Sequence, residues 1–72
     1  MPSPIYLVII DAKTKEPLAD RYVDTDKVQA WLVETAPPDA RCDVYTAAPA
    51  SGGHFVESLR RQKDGGWRPA AE

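Results

Sequence analysis

The sequence has few of the features that anchor or cross-link a small protein. It contains one cysteine, Cys42, among 72 residues, which excludes a disulfide within the chain and favours a reducing compartment. Its longest apolar run, Ile5 to Ile10, is far too short to cross a bilayer. No basic residue precedes that run, as a signal peptide would require. We therefore expect a cytoplasmic protein that makes no membrane contact.

Residues that build metal and phosphate sites are also scarce. Cys42 and His54 together fall short of the four ligands of a structural zinc site. The aspartates at positions 20, 24 and 26 lack the D-x-D-x-D-G spacing of a calcium loop. No phosphate-binding motif surrounds Gly52 and Gly53, so the segment 48–53, APASGG, is typical of a flexible loop. The sequence predicts neither a metal nor a cofactor.

The short length limits the core. A chain of 72 residues forms one compact domain, 1–72, and buries only about 60% of the surface that its unfolded form exposes. Such a domain is marginally stable unless something supplements its core. A homodimer or a bound partner would do so.

The segment from Asp24 to Ala36, DTDKVQAWLVETA, predicts the one helix. Asp24 or Thr25 provides an N-cap, and Pro37 and Pro38 end the helix because proline lacks the N–H. One face of this helix collects the residues at helical spacing, namely Val28, Trp31, Leu32 and Thr35.

Strands are predicted on both sides of that helix. The run from Ile5 to Ile10 is β-branched and unbroken, which is typical of a central strand covered on both faces. A second strand, Leu18 to Val23, lies at an edge because Pro17 precedes it. The alternation in RCDVYTA, Arg41 to Ala47, predicts a third strand with Cys42 and Val44 inward and Tyr45 outward.

The segment from His54 to Lys63 fits two structures. As a strand it places Phe55 and Leu59 on one face, and Asp64-Gly65-Gly66 returns Trp67 to that face in a hairpin. As a helix it has a stop at Asp64-Gly65. The hairpin is favoured and gives an α+β fold, a small antiparallel sheet with one helix packed across it, in the order ββαββ. The helical alternative gives ββαβα, and in both cases residues 69–72 form a frayed tail.

Charge is unevenly distributed about a net value of −2. Residues 1–36 carry six acids against four bases, and residues 54–70 carry four bases against two acids. This asymmetry is typical of two solvated faces, and the sharper hypothesis is a bipolar interaction surface. The candidate partner-binding residues are acidic or aromatic, namely Glu16, Asp20, Tyr22, Asp24, Asp26 and Tyr45. The candidate nucleic-acid-binding residues are Arg60, Arg61, Lys63, Trp67 and Arg68.

We therefore predict a small non-enzymatic protein that binds another protein through its sheet edge, its exposed tyrosines or its charged ends. Short acidic chains of this kind are common among phage and mobile-element inhibitors of a host machine, such as anti-CRISPR proteins, which is an analogy of size and charge alone. The alternative is a nucleic-acid-binding module that uses the basic end. An enzyme with Cys42 as nucleophile and His54 as base is a third hypothesis.

Overall fold

Five strands form one antiparallel sheet in the computed structural model, which describes residues 3–69. The strands are β1 Pro4–Ile10, β2 Pro17–Asp24, β3 Arg41–Tyr45, β4 Phe55–Arg61 and β5 Trp67–Pro69. Their order across the sheet is β2-β1-β3-β4-β5. A small antiparallel sheet with one α-helix is therefore confirmed. The predicted ββαββ order is wrong, because the hairpin after β3 contributes two strands, β4 and β5, and the order is ββαβββ.

The α-helix is shorter than the predicted span. A 3-10 turn, Thr25–Lys27, precedes α1, Val28–Thr35, and no side chain caps either segment. Asp24 is the last residue of β2, where it pairs with Pro4, and it occupies the N-cap position of the 3-10 turn without a side-chain hydrogen bond to it. At the other end, the Ala36 N–H donates to the Leu32 carbonyl at 2.9 Å, and the two prolines follow.

One layer of side chains between α1 and the sheet forms the core. From α1, Val28 and Leu32 are buried, Trp31 is half-buried and Thr35 is exposed. The strands contribute most of the remaining buried apolar residues, namely Leu7, Ile9, Val23, Cys42, Val44, Leu59 and Trp67. The predicted inward direction of Cys42 and Val44 is confirmed.

Within residues 54–63, Phe55–Arg61 forms a strand of the hairpin, so the ββαβα alternative is wrong. The turn is closed by the Gln62 N–H, which donates to the Gly66 carbonyl at 2.7 Å. Gly65 adopts a φ of 90°, a conformation that glycine tolerates better than residues with a Cβ. Pro69 is the last residue of β5 and pairs with Leu59, and the rest of the predicted tail lies outside the described residues.

A β-bulge separates two residues that the sequence places on one face. In the pairing of β3 with β4, Val44 lies opposite Glu57 but Tyr45 lies opposite Phe55, so Val56 is an extra residue. An extra residue reverses the alternation of side chains. Leu59 therefore points to the core, and Phe55 lies on the opposite face of the sheet.

Candidate interaction surfaces

One face of the sheet carries no helix within residues 3–69, and we call it the open face. On β1 it presents Tyr6, Val8 and Ile10, which alternate with the buried Leu7 and Ile9 and are only half-buried. The predicted burial of this strand on both faces is therefore wrong. The one α-helix in residues 3–69 covers only the other side of the sheet.

Four rings cross the open face in one row, which we call the aromatic row. Its members are Tyr22, Tyr6, Tyr45 and Phe55 on β2, β1, β3 and β4 in turn. Successive ring centroids lie 5.1, 6.4 and 5.7 Å apart in edge-to-face arrangements, a favourable geometry for aromatic pairs. Tyr22 remains 47% exposed and Phe55 56% exposed. Two rings of the row are thus open to a partner.

Hydrogen bonds hold the row in place. The Tyr6 hydroxyl donates to the Asp20 carboxylate. The Tyr22 hydroxyl accepts a hydrogen bond of 2.9 Å from the Ala48 N–H in the loop between β3 and β4. That loop folds tightly, since a Cβ at Gly53 would lie 1.9 Å from the Ala47 carbonyl oxygen. The position of the aromatic row therefore depends on the loop between β3 and β4 as well as on the strands.

Beside the aromatic row lies a buried carboxylate. Asp43 is 8% exposed although it lies on the open face. The Ser58 hydroxyl donates to its Oδ1 at 2.9 Å. Arg41 Nε lies 3.0 Å from the same oxygen in an ion pair, and Arg41 Nη2 donates a hydrogen bond of 3.4 Å to Oδ2. These contacts neutralise the carboxylate in the middle of the open face.

Three arginines form a second row on the open face. Arg41 lies opposite Arg60, and Arg60 lies opposite Arg68. Like charges in directly opposite positions are unfavourable. The charge of Arg68 is partly compensated by an ion pair with Asp64, in which Nη2 lies 2.8 Å from Oδ2. The Gly66 N–H and then Arg68 hold the pKa of that carboxyl below its usual value.

The candidate nucleic-acid-binding residues do not share this face. Arg60 and Arg68 lie on the open face, whereas Arg61 lies opposite Trp67, whose side chain is in the core. Lys63 is exposed in the hairpin turn. Trp67 is 2% exposed, so its ring has no free side on which a base could stack.

The candidate partner-binding residues lie mostly along β2. The alternation of this strand places Asp20 and Asp24 on the open face, on either side of Tyr22. Glu16 precedes the strand and Asp26 follows it in the 3-10 turn. Among residues 3–69 none of these four acids has a basic side chain within 4.0 Å, since both ion pairs there involve other residues.

The outer edge of β2 is a second candidate surface. The Thr25 N–H donates to the Ser3 carbonyl at 3.3 Å, and hydrogen-bonded pairs alternate along an antiparallel ladder. The N–H and C=O of Asp20, Tyr22 and Asp24 therefore point away from β1. No side chain of the described part of the chain bonds to them. The predicted edge position of β2 is confirmed.

A groove of about 390 Å³ runs between this edge and α1. Ala30 and the half-buried Trp31 give it an apolar wall. The charged residues around it are Arg21, Asp24, Lys27 and Glu34. The groove opens toward the helix side of the sheet, and at the edge strand it shares Tyr22 and Asp24 with the open face.

The opposite edge of the sheet is closed by a side chain that the sequence analysis missed. Gln29 on α1 donates from Nε2 to the Trp67 carbonyl at 2.7 Å and accepts from the Trp67 N–H at 2.8 Å. Its amide thus occupies the place of a neighbouring strand beside β5. No local pattern indicates this contact, because the two residues are 38 positions apart.

Cys42 has the environment of a core residue. It is fully buried, and burial, followed by the nearby Asp43, raises the pKa of its thiol to about 12. His54 is exposed in the loop before β4, where its N–H donates to the Thr46 hydroxyl at 2.9 Å. A nucleophile needs an accessible thiolate and a base within hydrogen-bond reach. The neutral, buried thiol of Cys42 does not fit that role.

Within residues 3–69 no three His, Cys, Asp or Glu side chains come together as a metal-binding group. No helix in the same range is long and apolar enough to span a bilayer. Comparisons with protein-family models, curated proteins and solved structures gave no match. The function must therefore be argued from the surfaces themselves.

Proposed function

We propose that this protein is a small non-enzymatic module that binds an extended segment of another protein along the outer edge of β2. The observation that carries the proposal is an uncovered eight-residue edge strand beside a groove. Edge strands expose a row of unpaired peptide groups, to which a partner segment can add as a further strand. Main-chain hydrogen bonds then supply affinity, and the side chains facing the groove supply specificity.

The two edges of the sheet differ in a way that favours β2. At β5, Gln29 already satisfies the outward peptide groups of Trp67, and the strand has only three residues. At β2, three residues offer outward N–H and C=O groups in succession. A partner strand therefore gains more hydrogen bonds at β2 and displaces nothing there.

Charge favours a basic partner segment. Residues 16–27 carry four acids, Glu16, Asp20, Asp24 and Asp26, against the two bases Arg21 and Lys27. Electrostatic complementarity raises the rate of association and selects among partners. On the groove side, Ala30 and Trp31 suit one apolar residue of the segment.

The test begins with a selection from a random peptide library against the purified protein. We expect the enriched peptides to combine basic residues with an apolar residue. Synthetic copies of them should protect the Asp20, Tyr22 and Asp24 amides from hydrogen exchange when bound. Peptides that protect β4 or the hairpin turn instead would contradict the proposal.

Two substitutions at one position separate backbone from charge. Asp20→Ser removes the carboxylate but keeps the N–H, whereas Asp20→Pro removes both and spares the ladder to β1. Proline is tolerated on edge strands. We expect Asp20→Pro to bind a selected peptide at least about tenfold more weakly than Asp20→Ser, since one charge-independent hydrogen bond and strand geometry are lost. Equal affinities would exclude strand addition.

Nucleic-acid binding remains the alternative and rests on the row of Arg41, Arg60 and Arg68. It predicts an affinity for single-stranded oligonucleotides that falls steeply with salt. Because the two residues lie on different faces, Arg60→Ala should abolish that affinity and Arg61→Ala should not. Affinity lost equally in both variants would argue against the open face as the binding surface.

Inhibition of a host machine by a phage or mobile-element protein would be one use of such a module. Only the small size and the acidic net charge of the chain support this hypothesis, and no contact of a particular residue supports it further. Capture of a nuclease-resistant host complex by the wild type, and not by Asp20→Pro, would support that use.

A further inference from the structure

We infer that the open face binds a second copy of this chain, with two sheets packed face to face about a two-fold axis parallel to the strands. The proposal concerns a different surface from the β2 edge and stands independently of the proposed function. Three features carry it: the aromatic row, the placement of charge across the sheet and the symmetry that relates them.

The aromatic row provides the apolar centre of such an interface. Its outer rings, Tyr22 and Phe55, are about half exposed, and Val56 beside Phe55 is 53% exposed. Tyrosine, phenylalanine and arginine are enriched at the centres of interfaces, where most binding energy is concentrated. This face also holds the buried Asp43 network, so its middle is already neutral.

Charge of opposite sign lies at the two sides of the same face. Asp20 is on β2 at one edge, and Arg60 and Arg68 are on β4 and β5 at the other. Strands in a sheet are about 4.8 Å apart, so β2 and β5 are separated by about 19 Å. The open face is therefore bipolar from edge to edge.

A two-fold axis parallel to the strands makes this surface complementary to itself. Rotation about that axis places β2 of one copy over β4 and β5 of the other, and each such contact occurs twice. Asp20 then lies at the level of Ser58 of the partner copy, about 7 Å along the strands from the row of Arg60 and Arg68. The long arginine side chains can span that offset. The aromatic rows meet each other, and the strands run nearly parallel, as in aligned sheet packing. An axis perpendicular to the strands would instead set acid against acid.

The charge balance disfavours nucleic acid as the occupant of the open face. The charged residues on the five strands there are three acids, Asp20, Asp24 and Asp43, and three bases, Arg41, Arg60 and Arg68. Because these charges balance, the open face offers no net positive charge to the phosphates of a nucleic acid. A second copy instead places the acidic β2 side of one sheet over the basic β4 and β5 side of the other, and on the central β3 the charges of Arg41 and Asp43 are already paired within each copy.

The dimer leaves both β2 edges uncovered. In face-to-face packing the two edges lie at opposite sides of the assembly, and each groove lies on the helix side. One dimer would therefore carry two peptide sites, which raises avidity for a partner with repeated segments.

Sedimentation velocity over a range of protein concentrations tests the proposal. We expect the wild type to form a dimer, and Asp20→Lys or Arg60→Glu alone to weaken it at least about tenfold, because each sets like charges together at two places. Mixing the two variants should restore the dimer, since the two substituted residues then meet with opposite charges at one place and the unaltered Asp20 and Arg60 meet at the other. Glu34→Lys, the same kind of charge change on α1, should leave the dimer intact.

A wild type that stays monomeric at its highest soluble concentration would overturn the proposal. So would variants that weaken the dimer individually but show no recovery when mixed. Phe55→Asp provides a second test if Asp20→Lys does not fold, because it puts a charge into the exposed end of the aromatic row. A Phe55→Asp variant that dimerises like the wild type would also overturn the proposal. A monomer whose oligonucleotide binding requires Arg60 would assign the face to nucleic acid instead.

Discussion

Removal of the Gln29 side chain should measure how firmly the helix holds the β5 edge. Gln29→Ala deletes both hydrogen bonds to the Trp67 backbone, at 2.7 and 2.8 Å. The substitution does not touch the indole of Trp67 in the core, and alanine introduces no bulky group into the helix. The effect therefore reports on the two bonds and on little else.

The expected cost follows from the number and setting of these bonds. Each hydrogen bond contributes a net of about 0.5–1.5 kcal/mol, so two contribute about 1–3 kcal/mol to the free energy of unfolding. The higher helix propensity of alanine offsets a few tenths of a kcal/mol. For a domain of this size, 1 kcal/mol corresponds to about 4–8 °C in Tm. We expect Gln29→Ala to lower Tm by about 4–20 °C.

Thermal and urea unfolding followed by circular dichroism would give the measurement. Gln62→Ala serves as the matched control, because its amide makes one exposed hydrogen bond, to the Arg60 carbonyl at 3.0 Å, and should change stability by less than about 0.5 kcal/mol. Equal effects of the two substitutions would refute the argument that Gln29 closes the edge.

A conservative replacement adds a pH readout. In Gln29→Glu the ionised carboxylate still accepts from the Trp67 N–H but repels the Trp67 carbonyl, whereas the protonated acid donates to that carbonyl. We expect the pKa of the new carboxyl to be raised in the folded state. A raised pKa contributes stability at low pH that is lost as pH rises. The difference in free energy of unfolding between the wild type and Gln29→Glu should therefore become smaller as the pH is lowered.

Three further outcomes follow from the core, the thiol and the loop. Leu32→Ala, at a fully buried position, should cost about 2–5 kcal/mol by urea unfolding, and Val33→Ala, 65% exposed, should cost less than about 0.5 kcal/mol. The Cys42 pKa of about 12, against 9.0 in the unfolded chain, means that stability conferred by the buried thiol is present below pH 9.0 and is lost as pH rises through 12. Rapid labelling of native Cys42 at neutral pH would contradict that burial. Gly53→Ala should cost roughly 1–3 kcal/mol, because its Cβ meets the Ala47 carbonyl oxygen at 1.9 Å, with Ser51→Ala as the neutral control.

The strands were predictable where local chemistry determines them. Pro17 marks β2 as an edge strand because proline has no backbone N–H and is tolerated mainly on edge strands. Alternation in residues 41–45 predicts which side of β3 is buried, and Gly65 allows the turn that closes the last hairpin. Each of these features depends on neighbours within a few residues, which a sequence displays directly.

Features set by strand order were not predictable. The aromatic row requires β1 to lie between β2 and β3, and periodicity within single strands does not determine that order. The bulge at Val56 was also missed, because the residues from Phe55 to Leu59 fit an uninterrupted strand equally well. It is this bulge that moves Phe55 from the core face to the end of the row. The start of α1 was also misplaced: Asp24 ends β2 and precedes a 3-10 turn, and the α-helix begins only after that turn, at Val28.

The two edge strands of the sheet differ in how many of their outward backbone groups lack a hydrogen-bond partner. An antiparallel sheet with α1 on one side leaves both terminal strands exposed in principle. At β5 the amide of Gln29 satisfies the outward backbone of Trp67, and Pro69 has no N–H to offer. At β2 the acids Asp20 and Asp24 are the main protection, and charge deters only a partner of like sign. Carboxylates at this edge repel other acidic strands, a second copy of β2 included, and we therefore expect the edge to accept a basic strand.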